Sequence, residues 1–329
     1  MENLAVTYLG LKLKNPLVAS SGPLTSEVGS VLTLEDAGVG AVVLRSIFEE
    51  QIKSDGSGAY RDLEGSASNF AFEYLRADLP MQLMAEKYLD RIVDIKARVG
   101  IPVIASCNCI EKAQWVAFAK KIEQAGADAL ELNLYHMPVD VNESAALVEQ
   151  RRLDAIRAVR ETVKIPVAVK LSHHYTSLLS FARQLDLVPV NGIVLFNRFL
   201  QTDVNIEAES TYYKTEFTSS NVLHSQLRWT AIVRDFIRAD IALSGGIHTG
   251  EDLVKALLVG ANVGYAYSCL AKSADPKETV AAILNGLTAW MDRKGYGDIA
   301  AFRGKLRETN LKDGKGFERM QYVAAAMNV

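Results

Sequence analysis

Short apolar runs alternate along the chain with amphipathic stretches. The runs are rich in β-branched residues, which is typical of buried strands, whereas apolar residues between them recur every three or four positions, which is typical of helices. Trp115, Phe118 and Ile122, for example, fall on one face of a helix predicted at 113–125. The pattern predicts strands at 16–22, 41–46, 102–108, 129–135, 166–172, 192–198, 241–247 and 263–268. It predicts helices at about 30–37, 88–99, 113–125, 152–163, 177–187, 227–238, 250–259 and 276–293.

Eight strands, each followed by a helix, define the predicted architecture. Because the strands are continuously apolar, we expect both of their faces to be covered, as in a parallel sheet. Eight parallel strands close naturally into a barrel, so the sequence predicts an α/β fold, the (β/α)8 or TIM barrel. An open, doubly wound sheet is the alternative. Ahead of the first strand, residues 5–15 predict a β-hairpin that turns near Gly10 and plugs the opposite end of the barrel.

Three connections are too long for plain barrel loops, at about 47–101, 136–165 and 199–240. Each follows the carboxyl end of a strand, the face on which barrels carry their active sites. We therefore expect them to form a lid or substrate pocket at the barrel mouth. Beyond Gly295 the tail predicts one or two short helices. No linker-like stretch interrupts the chain, so residues 1–329 are expected to form a single domain.

Composition and charge narrow the possible functions. Of the 329 residues, 49% are hydrophobic and 23% are charged, which is typical of a globular chain and excludes a disordered one. The net charge is −3 and the basic residues are dispersed, so neither nucleic acid nor a membrane surface is an expected partner, whereas a small molecule is. The three cysteines cannot form a disulfide framework, and the histidines lack metal-ligand spacing. The sequence shows no secretory or membrane-spanning segment, which predicts a cytoplasmic protein.

The carboxyl ends of the predicted strands are polar although the strands themselves are apolar. In a barrel these ends converge on one mouth, so we expect their side chains to share a site. Amide, hydroxyl and ammonium groups suit a flat polar heterocycle, although each group alone is also explained by hydrogen bonds to a loop backbone. The polar residues at the strand ends are Ser20, Ser21, Arg45, Ser46, Ser106, Asn108, Asn133, Lys170, Asn197, Ser244, Tyr267 and Ser268.

Two glycines after the seventh strand predict a phosphate site. Gly245 and Gly246 precede the helix at Gly250, and Tyr267 and Ser268 follow the eighth strand. Many barrels hold a phosphate at this place on backbone N–H groups and a hydroxyl. A tight turn that needs positive φ would explain the same glycines without a phosphate.

Two further residues are candidates for catalysis. Lys170 ends the fifth strand, where it is a Schiff-base nucleophile, a cation beside an anionic cofactor ring, or a lysine that extends to the barrel rim. Spacing does not choose among these. His136 lies three residues beyond Asn133 in the loop after the fourth strand, where it is either a general base or a structural histidine.

Five segments carry a resemblance to a known family. NPLVASSG, ALELNLY, VAVKLS, IVLFN and LSGGIHTGEDLVKALLVGANVGYAYS occur in this order. Together they resemble the dihydroorotate dehydrogenase family of FMN-dependent (β/α)8 barrels, from about residue 4 to the phosphate site near residue 270. The closing stretch, with FRG at 302–304 and FER at 317–319, is similar to a branch called dihydroorotate dehydrogenase-like.

The resemblance implies a role for each matching residue. It implies that Asn108 and Asn133 bond the edge of the isoalloxazine and that Lys170 lies near its N1 and O2. Asn197, together with Asn133, would bind the pyrimidine substrate. The implied contacts to the flavin ring are Ala19, Ser20, Gly22, Arg45, Ser46, Asn108, Asn133 and Lys170. The implied phosphate ligands are Gly245, Gly246, Tyr267 and Ser268.

The chemistry implied by the resemblance is oxidation of dihydroorotate to orotate, as in pyrimidine biosynthesis, or of a related dihydropyrimidine. Hydride passes from C6 to flavin N5 while a base removes the C5 proton. The family's strand-four loop reads N-x-S-[C or S]-P-N with the fourth residue as the base, whereas residues 133–138 read NLYHMP. His136 takes the position of the base, and Tyr135 is the alternative. A homodimer and a second acceptor, namely fumarate, NAD or a quinone, are also implied.

Other departures leave two further functions open. Arg45-Ser46 stands where the family commonly has Lys-Ser, and the family's Asn-rich substrate loop is not recognisable in 47–80. One alternative is a Schiff-base aldolase or lyase that uses Lys170 on a phosphorylated substrate. The other is a flavin-binding barrel without turnover. The chain carries no iron–sulfur motif, so any cluster would belong to a partner subunit.

Overall fold

A computed structural model describes residues 3–53, 82–198, 201–214, 217–310 and 326–327. Its strands are β1 (Val6–Tyr8), β2 (Leu11–Leu13), β3 (Leu17–Ala19), β4 (Ala41–Val43), β5 (Ile47–Phe48), β6 (Val103–Asn108), β7 (Ala129–Asn133), β8 (Val167–Leu171), β9 (Gly192–Leu195), β10 (Gln201–Asn205), β11 (Ser210–Lys214), β12 (Asp240–Ser244) and β13 (Val263–Ala266). Its helices are α1 (Val28–Ala37), α2 (Glu49–Lys53), α3 (Gln82–Lys96), α4 (Lys112–Gln124), α5 (Ala145–Thr162), α6 (Leu178–Leu187), α7 (Leu223–Arg234), α8 (Gly250–Leu258), α9 (Ser268–Ala271) and α10 (Pro276–Lys294).

Eight of these strands form a closed parallel barrel surrounded by helices. The order around the barrel is β3, β4, β6, β7, β8, β9, β12 and β13, and β13 pairs with β3. The ring closes where Val42 and Val43 of β4 lie opposite Val103 and Ile104 of β6. The short strand β5 adds to the carboxyl end of β6. The predicted (β/α)8 barrel is confirmed, and the alternative of an open sheet is wrong.

Strand burial and register place the polar strand ends side by side. Every residue of β7 and of β8 is buried, because the barrel interior covers one face and the helices cover the other. The register pairs Asn133 with Lys170 at the carboxyl ends of these strands. Since side chains alternate along a strand, Glu131 shares the face of Asn133 but lies deeper in the barrel.

The amino-terminal end of the barrel is covered by the β1–β2 hairpin. Its Tyr8 and Leu9 are fully or almost fully buried, and the Leu9 N–H donates to Asp240 Oδ2 at the start of β12, at 2.8 Å. The Tyr8 hydroxyl reaches into the barrel and lies 3.0 Å from the Tyr265 hydroxyl of β13. The chain turns at Leu9 and Gly10, both with positive φ. The predicted hairpin is therefore confirmed at the end opposite the mouth.

Several predicted boundaries are wrong. The strands predicted at 16–22, 41–46 and 192–198 each end three residues earlier than predicted. The residues that follow keep only single backbone bonds to the neighbouring strands, such as Ser20 N–H to the Ala266 carbonyl and Asn197 N–H to the Leu171 carbonyl. Helix α5 begins at Ala145 and not at 152, because Ser144 caps it by accepting the Leu147 N–H at 3.2 Å. Helix therefore occupies more of the long connection at 136–165 than the helix predicted at 152–163 does.

The other long connections are described only in part. In the segment 199–240, β10 and β11 form an unpredicted antiparallel hairpin from Gln201↔Lys214 to Asn205↔Ser210, and every residue of β10 is exposed. Residues 54–81 of the first insertion and 311–325 of the tail lie outside the described residues, so the lid and tail-helix predictions there stay predictions. The assignment of the whole chain to one domain also stays a prediction. No helix in the described part of the chain is long and apolar enough to cross a membrane.

Candidate active site

The carboxyl ends of four strands are joined by side-chain hydrogen bonds at the mouth. Asn197, beyond β9, donates from Nδ2 to Oδ1 of Asn133 at 2.7 Å, and Asn133 Nδ2 donates to Ser46 Oγ, beyond β4, at 3.4 Å. The Ser46 hydroxyl in turn lies 2.7 Å from the hydroxyl of Ser106 on β6. Three of the four side chains are buried, and Asn197 is half-buried. The structure therefore brings these predicted residues together in one rigid polar chain.

Lys170 lies beside this chain and is paired with a carboxylate beneath it. Its side chain is 8% exposed, and its Nζ lies 3.8 Å from Oε1 of the fully buried Glu131. Burial raises the pKa of Glu131, whereas the charge of Lys170 and the hydroxyls of Tyr265 and Ser106 lower it. The Lys170 amine thus lies at the mouth, and the Glu131 carboxyl lies deeper in the barrel.

Asn108 supports the loop that leaves β7. Its Nδ2 donates to the backbone carbonyls of Asn133 at 2.7 Å and of Tyr135 at 2.9 Å. Both amide hydrogens are therefore used within the chain, and the side-chain oxygen is the part of Asn108 that remains for a ligand. The main contribution of Asn108 is to fix the direction in which the loop carries Tyr135 and His136.

His136 is held from behind by Arg152 of α5. Nη2 of Arg152 donates to the His136 carbonyl at 3.1 Å, and Nη1 donates to the Tyr175 hydroxyl at 3.1 Å. Burial and the positive charges of Arg152 and Arg151 lower the pKa of His136, while Glu143 opposes them. Because the pKa is lowered, the imidazole is neutral at physiological pH and able to accept a proton.

A cavity of about 270 Å³ lies beside this loop. It is bounded by residues 136–140, the start of α5 and the segment 172–176 that follows β8. Its charged lining consists of Arg152 and three acids, namely Asp140, Glu143 and Glu149. Since Asn133 and Lys170 end the two strands from which these segments leave, the loop offers space for a small molecule close to the polar strand ends.

The opposite side of the mouth is formed by backbone. Gly245 and Gly246 both have positive φ, and a Cβ on Gly246 would lie 2.7 Å from the Leu223 nitrogen, so the position requires glycine. Within the described residues, the N–H groups of Gly245 and Gly246 donate to no backbone carbonyl. Nearby, Ser268 Oγ accepts from the Thr218 N–H at 2.9 Å, and Thr218 Oγ1 lies 3.2 Å from His248 Nε2. Free N–H groups beside hydroxyls suit an anion.

The end of β3 completes the mouth. Ala19 and Ser20 are buried, and the Ser20 N–H donates to the Ala266 carbonyl of β13 at 2.9 Å. The ring of Tyr267 lies directly against Gly22, where any Cβ would overlap it. Arg45 is half-buried beyond β4, and its N–H donates to the Thr25 carbonyl at 3.4 Å. All the predicted site residues therefore lie at the same end of the barrel.

Three residues of the site were not predicted. Glu131 is a charged residue inside the apolar run ALELN, which is the signal that could have identified it. Arg152 was assigned only to a helix start, and Thr218 comes from a connection with no recognisable pattern. The contacts of Arg152 and Thr218 are made between distant segments, so spacing along the chain carries no trace of them.

Comparison with known proteins identifies the family. The family model described as "Dihydroorotate dehydrogenase" matches residues 3–291. The catalytic subunit of dihydroorotate dehydrogenase B (NAD(+)) from Alkaliphilus metalliredigens is 26% identical over 317 residues, covering 92% of this chain and 99% of the relative. Dihydroorotate dehydrogenase A (fumarate) from Lactococcus lactis is 25% identical over 318 residues, covering 92% and 99%. The NAD-dependent dihydropyrimidine dehydrogenase subunit PreA of Escherichia coli is 24% identical over 361 residues, covering 100% and 82%.

These matches span the barrel and both sides of its mouth. The relatives are named as dehydrogenases, which confirms the prediction of an oxidoreductase. Proteins of the matching family are flavin enzymes, which agrees with the prediction of a flavin cofactor. The chain belongs to the dihydroorotate dehydrogenase family.

Proposed function

We propose that this protein is an FMN-dependent dehydrogenase that oxidises dihydroorotate or a related dihydropyrimidine. The observation that carries the proposal is the joining of Asn133, Asn197 and Lys170 on neighbouring strand ends. Together they offer amide donors and acceptors and one cation to a flat ring that has carbonyl and N–H edges. Dihydropyrimidines and the pyrimidine-like end of a flavin both have such edges.

The mouth fits FMN in particular, because it offers a site for one terminal phosphate. The N–H groups of Gly245 and Gly246, which donate to no backbone carbonyl in the described part of the chain, would hold that phosphate together with the Ser268 hydroxyl. Gly22 has no room for a side chain beside the ring of Tyr267, so no side chain projects into the mouth from this position. Bound FMN would supply the hydride acceptor of the reaction.

The residues of this chain supply binding, charge and proton transfer. Asn133 and Asn197 would orient the substrate ring, and their mutual hydrogen bond fixes both amides before substrate arrives. Lys170 would place a positive charge where negative charge develops on the cofactor, and Arg45 would supply a second cation from beyond β4. Preorganised groups of this kind lower the barrier without reorganising during the reaction.

We assign proton removal from substrate C5 to His136. Its neutral imidazole is competent as a base. Asn108 and Arg152 fix the loop at this point, because they donate to the consecutive carbonyls of Tyr135 and His136. Tyr135 remains the alternative, and its ring packs edge-on against Phe48 at 6.4 Å. The base would thus differ from the Cys or Ser that the family pattern has at this place.

The spectrum of the purified protein tests the cofactor, and anaerobic reduction tests the substrate. We expect a yellow protein that is bleached by dihydroorotate, dihydrouracil or dihydrothymine in the absence of oxygen. A colourless protein that gains no flavin absorbance when FMN is added would overturn the proposal. If the protein is yellow but none of these compounds bleaches it, the cofactor proposal stands and the substrate class is rejected. That result would favour a flavin-binding barrel without turnover.

A Schiff-base aldolase is the competing use of Lys170. It requires the Lys170 amine to attack a carbonyl carbon, whereas Nζ of Lys170 lies 3.8 Å from Oε1 of the buried Glu131, at ion-pair distance. Borohydride treatment in the presence of phosphorylated carbonyl compounds is expected to leave Lys170 unmodified, and a covalent adduct detected there by mass spectrometry would restore the aldolase.

We also propose a homodimer and a separate electron acceptor. The names of the relatives include two acceptors, NAD(+) and fumarate. Anaerobic reoxidation of the reduced protein by fumarate, NAD and a soluble quinone, compared at equal concentration, identifies the acceptor by rate. Sedimentation velocity tests the dimer, and a species of 36.0 kDa at micromolar concentration would reject it.

A further inference from the structure

We propose that Glu131 is a positioning residue that holds the Lys170 ammonium at the flavin site and offsets part of its charge, so that the pair sets the redox potential of the bound flavin. This inference rests on the proposed function, because it assigns the pair to the same cofactor site. Glu131 itself touches no reacting atom. It would act through Lys170, from one layer deeper in the barrel.

The first observation is the position and burial of Glu131. It is fully buried in the middle of β7, and the nearest cation is Lys170 at 3.8 Å. Neither carboxylate oxygen accepts a hydrogen bond of ordinary geometry from the described residues. Such a carboxylate is costly, and an apolar side chain of similar volume would stabilise a barrel core at least as well. Stability therefore does not explain why an acid occupies this position. A role in adjusting the charge near the mouth does explain it.

The second observation is a column of polar groups along the barrel interior. The Tyr265 hydroxyl lies next to Glu131 and, on its other side, 3.0 Å from the hydroxyl of Tyr8 in the amino-terminal plug. The Tyr8 and Tyr265 rings pack edge to face at 6.2 Å and are fully buried. The titratable or hydroxyl groups around Glu131 are Lys170, Tyr265, Tyr8, Ser106, Tyr88 and Cys107.

These groups determine the charge of the pair. Burial raises the pKa of Glu131, and Lys170, Tyr265 and Ser106 act against burial to favour the ionised form. With Glu131 ionised, the pair is neutral as a whole but polarised, with its positive end towards the mouth. Without the acid, the ammonium would stand uncompensated. A reduced flavin carries more negative charge than an oxidised one, so an uncompensated ammonium favours the reduced form.

The test compares the affinities of oxidised and reduced FMN for the full-length protein. In Glu131→Gln, which keeps the size of the side chain and removes its charge, we expect the preference for reduced over oxidised FMN to rise at least tenfold, which raises the midpoint potential by about 30 mV. Glu131→Asp keeps the charge and is expected to return the ratio towards that of the unsubstituted protein. An unchanged ratio in a folded, FMN-loaded Glu131→Gln protein would overturn the proposal.

Two tyrosine variants provide a matched pair that leaves Glu131 in place. Tyr265→Phe removes a hydroxyl that lowers the pKa of Glu131, so the acid becomes protonated at a higher pH. The potential of this variant should equal that of the unsubstituted protein at alkaline pH and approach that of Glu131→Gln as the pH falls. Tyr8→Phe makes the same chemical change one position farther away and should shift the pH profile less. Equal profiles for the two variants would indicate a structural effect and would contradict the proposal.

The flavin-free protein separates this inference from the proposed function. A double-mutant cycle with Glu131→Gln, Lys170→Met and the double variant measures the coupling of the pair through urea unfolding, without any cofactor. Each single variant should lower the urea midpoint more than the double variant does. If the protein binds no FMN, the proposed function fails, and a positive cycle still supports the pair. If it binds FMN and the cycle shows no coupling, the inference fails while the proposed function stands.

Discussion

One side of the barrel mouth presents mainly backbone groups, whereas the other side presents mainly side chains of an exposed loop. On one side, where we propose the phosphate site, the turn at Gly245 and Gly246 presents backbone N–H groups, and Ser268 is fixed by two bonds from Thr218. On the other side, the loop from Tyr135 to Glu143 is anchored mainly where it begins, and the residues that follow are largely exposed. A backbone site keeps its chemistry under most side-chain changes, whereas an exposed loop can change its catalytic group. This contrast agrees with the resemblance, which holds at the glycines and departs from the family pattern at residues 135–138.

Replacing His136 tests the loop side most strongly. His136→Asn removes the imidazole and leaves a side chain of similar polarity, so turnover should fall by about 10²–10⁴, the usual contribution of a positioned general base. The FMN dissociation constant should stay unchanged, since His136 lies away from the glycine turn. Stopped-flow reduction and a fluorescence titration measure the two quantities. Unchanged turnover would transfer the role to Tyr135, and Tyr135→Phe would then be the decisive variant.

Replacing Gly246 tests the proposed phosphate site. In Gly246→Ala the new Cβ meets the Leu223 nitrogen and the residue keeps a φ of +86°, so the turn must move. We expect FMN affinity to fall on the order of 100-fold, a loss of about 2.7 kcal/mol. The control is Gly295→Ala, which has a comparable φ of +70° but no atom within 4 Å of the new Cβ. Both variants should lose thermal stability, and only the first should lose FMN affinity.

The acidic side of the pH profile sharpens the assignment of the base. A base acts in its neutral form, so activity is present above its pKa and is lost as the pH falls through it. Burial and Arg152 lower the pKa of His136, which places the acidic limb of kcat below the ordinary histidine value of about 6.5. Below that limb, kcat should fall about tenfold per pH unit. An acidic limb above 7 would contradict His136 as the base.

The smallest expected effect concerns the support of the loop. Arg152→Met removes the bond to the His136 carbonyl and a positive charge near the imidazole, so turnover should fall several-fold and the acidic limb should move to higher pH. Arg151→Met is the control, because Arg151 lies on the same helix but bonds to Glu143. It should shift the limb less and leave turnover close to normal. Equal effects from the two arginines would show that charge alone, and not the bond to the loop, supports His136.

Sequence pattern was sufficient for the barrel and for much of the mouth. Continuous apolar strands and the helices between them determine the closed parallel sheet. Because the strand ends of a barrel converge on one mouth, the polar residues at those ends, such as Asn133, Lys170 and Asn197, are then predicted to lie together. Boundaries were less predictable. Helix α5, capped by Ser144, begins at Ala145, which is seven residues before the start of the helix predicted at 152–163.

The remaining parts of the site depend on contacts between segments that are distant in sequence. Arg152 reaches the His136 carbonyl from the next helix, and Thr218 reaches Ser268 across 50 residues. Glu131 was overlooked for a different reason. A single acid in an apolar strand does not alter the strand pattern, although its burial is what makes it important.

The amino-terminal hairpin has a consequence for the order of events in catalysis. Because Tyr8 and Leu9 fill the amino-terminal end of the barrel, both substrates of the proposed reaction would approach the proposed flavin site from the mouth side. Two molecules that use one approach to the same ring are expected to take turns there. Steady-state rates at varied concentrations of both should then give parallel lines in a double-reciprocal plot. Parallel lines are the pattern of a ping-pong mechanism, in which the first product leaves before the second substrate binds.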